Sequence, residues 1–151
     1  NKCRLMISRK NSTKQTRVII QGFYALSDPV FWLVLFAGFI IWLRPPPVNI
    51  ISWEKLLLMS FLEEFVFRFS LQESLNKFFK YKKIVLRISV ANLLTSVIFV
   101  ILHLLNHPPI WAISVFLPSL IFGWAWDRYQ NLIPCWCLHF VYNLLYFYRF
   151  G

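Results

Sequence analysis

Five apolar stretches, separated by charged or proline-rich breaks, set the pattern of this chain. They run from about Phe23 to Leu43, Ile50 to Leu71, Ile88 to Leu105, Ile110 to Trp126 and Leu132 to Tyr148. Arg44-Pro45-Pro46-Pro47 closes the first, and Asn106-His107-Pro108-Pro109 closes the third. Several fall short of the ~20 residues of a straight membrane helix, a deficit that tilt, a thin bilayer or a re-entrant segment absorbs. Trp53, Trp111, Trp126, Tyr129, Tyr146 and Tyr148 gather near the ends of the stretches, as aromatic residues do at membrane interfaces. The predicted fold is all-α, a polytopic transmembrane helix bundle of about five spans. Residues 72–87, with Leu75, Phe78, Phe79 and Tyr81 among lysines, are predicted to lie along the membrane surface.

Composition agrees with this reading. The chain is 58% hydrophobic and 15% charged, where a soluble domain averages about 45–50% and about 25%. Its net charge of +10 is explained by loops rather than by nucleic acid, which is not an expected partner. Twelve lysines and arginines (Lys2 to Arg17, Lys77 to Arg87, and Arg128) fall on one predicted side, against Arg44, Lys55 and Arg149 on the other. The positive-inside rule then places the N-terminus in the cytoplasm. Residues 1–20 form a basic cytoplasmic segment and residues 21–151 one helical domain. The three cysteines make no framework: Cys135 and Cys137 are two apart and point to different sides of a helix.

Against this background three charges stand out within the second stretch. Glu63, Glu64 and Arg68 interrupt a segment that is otherwise hydrocarbon-core sequence. Each costs roughly 2.5–3.5 kcal/mol there on insertion scales, so such residues pair, line a wet cavity or do chemistry. Glu64 and Arg68 are i, i+4 and share a face. Glu63 lies about 100° round the helix and is left for another partner. Phe99 and His103 repeat the spacing in the third stretch, and His139 and Asn143 in the fifth. Each pair alone has a plain structural reading as interhelical glue. Together they bring Glu, His, His and Asn into one apolar bundle. A glutamate and an imidazole holding one water form a general-base arrangement. A second His with an Asn suits a developing oxyanion. Hydrolysis of an acyl bond is the reaction class that follows.

Depth supports the meeting. Glu63 lies 14 residues before Lys77 and His103 lies 16 after Arg87, or roughly 21 and 24 Å from one basic loop at ~1.5 Å per residue. His103 and His107 have HxxxH spacing, but the adjacent glutamate of a zinc-protease helix is missing and Pro108 follows at once, which puts His107 at a cap or in a loop.

The ordered set resembles a known family. Glu63-Glu64-Phe65-Val66-Phe67-Arg68, then Phe99-Val100-Ile101-Leu102-His103, then His139-Phe140-Val141-Tyr142-Asn143 are similar to the EExxxR, FxxxH and HxxxN motifs of the CPBP intramembrane proteases. These are the CAAX-protease and bacteriocin-processing enzymes, also called the ABI family. Phe69 follows Arg68 where that family commonly has Gly, and the chain is short for it. Its size looks like that of the compact bacterial members associated with C-terminal protein sorting. The resemblance implies a multi-pass bacterial inner-membrane endopeptidase that cleaves near the terminus of a membrane-associated protein or peptide. It gives Glu63 and His103 the water, His139 and Asn143 the oxyanion, and Glu64 and Arg68 the organisation of the site. No cofactor is favoured. A zinc alternative with Glu63, His103 and His139 as ligands stays open, as does a non-catalytic immunity or partner-binding protein of the same fold. A small ion transporter is a third reading of buried Glu, His and Arg, without the broken-helix repeat that would support it.

Overall fold

The computed structural model describes residues 24–43, 51–84 and 87–148. The basic segment 1–20, Cys3, Arg44 and Arg149 lie outside them. The described residues are helical, with a single isolated β-bridge, Lys83 to Ser89.

After one helical turn at residues 24–27, Asp28 caps α1 (Pro29–Ala37) by accepting the Val30 N–H at 3.0 Å, and Pro29 sits where its missing N–H is not needed. The first apolar stretch is therefore divided at Asp28, and beyond α1 it tightens into a 3-10 turn, Gly38–Leu43. The second stretch does not end at Leu71. α2 (Trp53–Glu64) passes into a π-helix (Phe65–Gln72) and on into α3 (Glu73–Phe78). The surface segment expected over 72–87 thus begins as a continuation of this helix. Gln72 and Asn76 are fully buried in it. They are polar, so they read as the end of an apolar run, yet their partners lie inside the bundle.

A short hairpin leads to α4 (Val90–Leu104), whose cap Ser89 accepts the Asn92 N–H. α5 (Pro109–Ser114) and α6 (Phe116–Tyr129) follow with a break at Val115. Together Pro109–Tyr129 is the one helix, among the described residues, long and apolar enough to cross a membrane. Pro29–Ile40, Val90–Leu104 and Leu132–Phe147 are apolar but shorter. Gln130 ends α6 in the left-handed region, and Asn131 caps α7 (Leu132–Phe147).

α7 packs against α2, α6 and the 3-10 turn, and α4 packs against α6. The Trp136 indole donates to the Leu57 carbonyl at 3.1 Å, and the Tyr142 hydroxyl to that of Val34 at 2.5 Å. Asp28 receives Arg128 at 2.7 Å and Tyr129 at 2.9 Å, which ties the start of α1 to the end of α6. Phe31, Phe122, Trp126, Leu138 and Tyr142 form the apolar core on this side. The other side is polar within: Glu64, Arg68, Gln72, Asn76, Asn92, Thr95, Ser96 and Ser119 are all fully buried. Large apolar side chains face outward instead, Ile110 at 87% exposure and Leu33 at 70%. Such a surface is more apolar than water-soluble monomers present.

Candidate functional site

The site grows from one helical face. Glu64, Arg68, Gln72 and Asn76 recur every four residues. In a pure α-helix, four residues overshoot a turn by about 40° per step, which would carry Asn76 away from Glu64's face. The π-helix closes i→i+5 and takes more than four residues per turn, so it turns the face back. All four side chains therefore point into the bundle.

Arg68 donates from each of its three nitrogens. Nε donates to Glu64 Oε2 at 3.1 Å, Nη1 to Gln72 Oε1 at 3.1 Å and Nη2 to Ser119 Oγ at 2.8 Å. A lysine could not reach three acceptors in one plane. Ser119 donates on to Ser96 at 3.0 Å, and Ser96 to Asn92 at 3.2 Å. Gln72 donates to the Gly123 carbonyl at 2.9 Å and to Asp127 Oδ1 at 3.0 Å, which also receives Asn76 at 2.9 Å. A buried charge is tolerated when its hydrogen-bonding capacity is met in this way.

Glu64 also reaches the other way. Its Oε1 lies 2.8 Å from His139 Nδ1. A carboxylate only accepts, so Nδ1–H is the donor and Nε2 is turned toward Glu63 Oε2, 3.6 Å away. That separation exceeds a hydrogen bond, and Glu63 keeps its capacity for another partner. Phe122 stacks on the His139 ring at 4.6 Å. Phe99 lies 6.3 Å from His139 and 4.3 Å from His103, so the Phe of the FxxxH spacing separates and orients the two imidazoles. His103 Nδ1 meets the Phe99 carbonyl at 2.8 Å, again as donor, which leaves its Nε2 as the accepting nitrogen.

Glu63, His103, His139 and Asn143 all line one cavity of about 230 Å³. Lys55 and His107 also line it, and the rest of its walls are apolar and aromatic. The Glu64–Arg68 pair expected from the spacing is present, and Glu64 is shared with His139 as well. His139 is also the imidazole in ion-pair range of Glu63. His107, expected at a cap or in a loop, lies in the loop; it also lines the cavity and stacks on Trp111 at 4.2 Å. Among the described residues no three His, Cys, Asp or Glu side chains are grouped to hold one metal ion.

Gln72, Ser119, Phe122 and Asp127 were not singled out by the motifs. The four-residue period after Arg68 is a signal for Gln72 and Asn76, and the same period links Ser119, Gly123 and Asp127 on α6. Phe122 carries no such mark, because one Phe in an apolar run resembles the others.

No curated protein and no solved structure matches the chain. The family model for type II CAAX prenyl endopeptidases, Rce1-like, does match, over residues 29–145. That range holds all three motifs and, with them, Glu63, His103, His139 and Asn143 of the cavity lining. The chain therefore belongs to the Rce1-like family of type II CAAX prenyl endopeptidases, a family of membrane proteases.

Proposed function

We propose that this protein is an intramembrane endopeptidase that hydrolyses a peptide bond near the terminus of a membrane-associated protein or peptide. The observation that carries this reading is the convergence of Glu63, His103, His139 and Asn143, from α2, α4 and α7, on one cavity. Glu63 and the accepting Nε2 of His103 hold a water, and Glu63 takes its proton as the oxygen attacks the scissile carbonyl. Asn143 and His139, the latter held on Glu64, stabilise the oxyanion. Glu63 then returns the proton to the leaving nitrogen as the C–N bond breaks. Arg68 holds Glu64 and does not enter the cavity.

Lys55 supports cleavage close to a C-terminus. Lys55, Met59 and Glu63 follow one another at four-residue intervals along the cavity. The eight residues from Lys55 to Glu63 span about 12 Å, which an extended peptide at ~3.3 Å per residue covers in three or four residues. A terminal carboxylate on Lys55 would set the scissile bond beside Glu63. In the membrane, the shorter apolar helices cross with Pro109–Tyr129 to give about five spans, with the basic loop on the cytoplasmic side.

The test is Glu63→Gln in the purified, reconstituted chain. Cleavage is expected to fall by at least about a hundredfold, within the range set for loss of a general base, with the unfolding transition unchanged. Wild-type cleavage is expected to persist in a metal chelator. Retained activity in the variant would remove Glu63 from the mechanism, and loss of activity in chelator would replace the metal-free scheme. A non-catalytic protein would instead keep its phenotype in Glu63→Gln.

A further inference from the structure

At the far end of the polar ladder from Glu63 lies a second, smaller cavity of about 100 Å³, lined by Lys83, Arg87, Trp124, Asp127 and Arg128. Arg128 is committed to Asp28 at 2.7 Å and stands over Trp124 at 5.5 Å. Asp127 is compensated by its own donors: Gln72 and Asn76 on Oδ1, and the Ser89 N–H on Oδ2 at 3.2 Å. Lys83 and Arg87 have no carboxylate partner among the described residues.

Their placement is built rather than loose. The Ile84 N–H donates to the Ile88 carbonyl at 2.8 Å, and the Val90 N–H to that of Lys82 at 2.9 Å. Arg87 is held at φ 65°, in the left-handed region that a long side chain seldom occupies. The hairpin thus presents two unpaired cations toward one pocket beside an indole. Ile84, next to Lys83 in the chain, is an exposed apolar residue. Trp at a helix end marks the headgroup level of a bilayer, and basic pockets between membrane helices take anionic headgroups.

We propose that this cavity binds the phosphate of an anionic phospholipid headgroup, with Lys83 and Arg87 on the phosphate oxygens. Asp127 Oδ2, which still has an accepting lone pair, takes a hydroxyl of the headgroup. The site is separate from peptide hydrolysis and involves no residue of the cleavage cavity. The same phosphate chemistry comes from a lipid or from a soluble phosphate, and the experiment separates the two.

The full chain in neutral detergent is titrated with short-chain phosphatidylglycerol, with phosphatidylcholine and with inorganic phosphate, and binding is read by native mass spectrometry. Phosphatidylglycerol is expected to bind saturably and at least about fivefold tighter than phosphatidylcholine, in keeping with the pull of one or more basic side chains at a membrane surface. Lys83→Gln with Arg87→Gln is expected to lose that preference. Lys80→Gln with Lys82→Gln removes the same charge from outside the cavity and is expected to keep it. Arg87→Gln alone, at an exposed turn, repeats the test with a smaller change to the fold. Equal losses in the two double variants would overturn the pocket in favour of diffuse surface charge. Inorganic phosphate filling the same site, with no preference for lipid, would overturn the lipid assignment.

Discussion

Glu64 accepts from Arg68 at 3.1 Å and from His139 at 2.8 Å, and none of its side chain meets the outside. Its neighbour Glu63 is about a quarter exposed and, among the described residues, pairs at ion-pair range with His139 alone, at 3.6 Å. One step of the helix, about 100°, therefore gives two identical side chains different duties. Glu64→Gln leaves the Arg68 guanidinium buried without its counter-charge, and breaking such a pair costs about 3–5 kcal/mol. Glu63→Gln strands no buried charge and should stay within about 0.5 kcal/mol of wild type, as substitutions away from buried networks do. Denaturant unfolding of both variants in detergent checks this. Equal stability of Glu64→Gln and wild type would mean that the pair does not hold the bundle. The motif spacing made the Glu64–Arg68 pair legible. It left the partner of Glu63 open, because the choice between His103 and His139 depends on how far α7 lies from α2.

Between elements, a close approach is made at Gly123. A Cβ there would overlap Asn92 Oδ1 and stand 2.7 Å from Gln72 Oε1. α4, α6 and the π-helix meet at this point through Ser96, Ser119 and the Gly123 carbonyl itself. Gly123→Ala should destabilise by about 1–3 kcal/mol or more, the range for overpacking a filled interior, and should lower cleavage by displacing Arg68. An unchanged unfolding midpoint would show that the helices part without loss.

The loop after α3 is fixed by a different device. The Tyr81 hydroxyl donates to Glu73 at 2.7 Å, and Glu73 also receives Trp126 at 3.2 Å. The Glu73 hydrogen bond, partial burial and the nearby carboxylate charges hold the Tyr81 phenol above its ordinary value. A group raised on folding contributes below its unfolded value, about 10 for tyrosine, and that contribution fades as pH rises through the folded value. Wild type should therefore lose stability on the alkaline side where Tyr81→Phe does not. Superimposable alkaline limbs in the two proteins would exclude the link. The four helix-starting signals Asp28, Ser89, Pro109 and Asn131 stand in the sequence and cap or open the helices that follow them. The π-helix had no such signal. Its i→i+5 turns arise because four polar side chains seek partners on two other helices, and local propensity does not encode that.

Across the described residues, amides, hydroxyls and an ion pair are buried beside the aromatic core, while many leucines, isoleucines and phenylalanines face outward. Backbone groups facing hydrocarbon must be satisfied within the helix, and side-chain polar groups must find one another. The apolar stretches, the helical class and the three motif pairs were set by the sequence alone, because hydrophobic runs and four-residue spacing are local properties of a chain. They placed Glu63, His103, His139 and Asn143 in one bundle, and the family match over residues 29–145 accords with that reading. Only the tertiary structure decided which carboxylate faces which imidazole, that Arg68 is shared by Glu64, Gln72 and Ser119, and that Asp127 anchors the ladder beside a basic pocket. These are distances between helices far apart in sequence. They depend on where Gly123 lets two helices touch and on how the π-helix turns its polar face, and no spacing along the chain measures either.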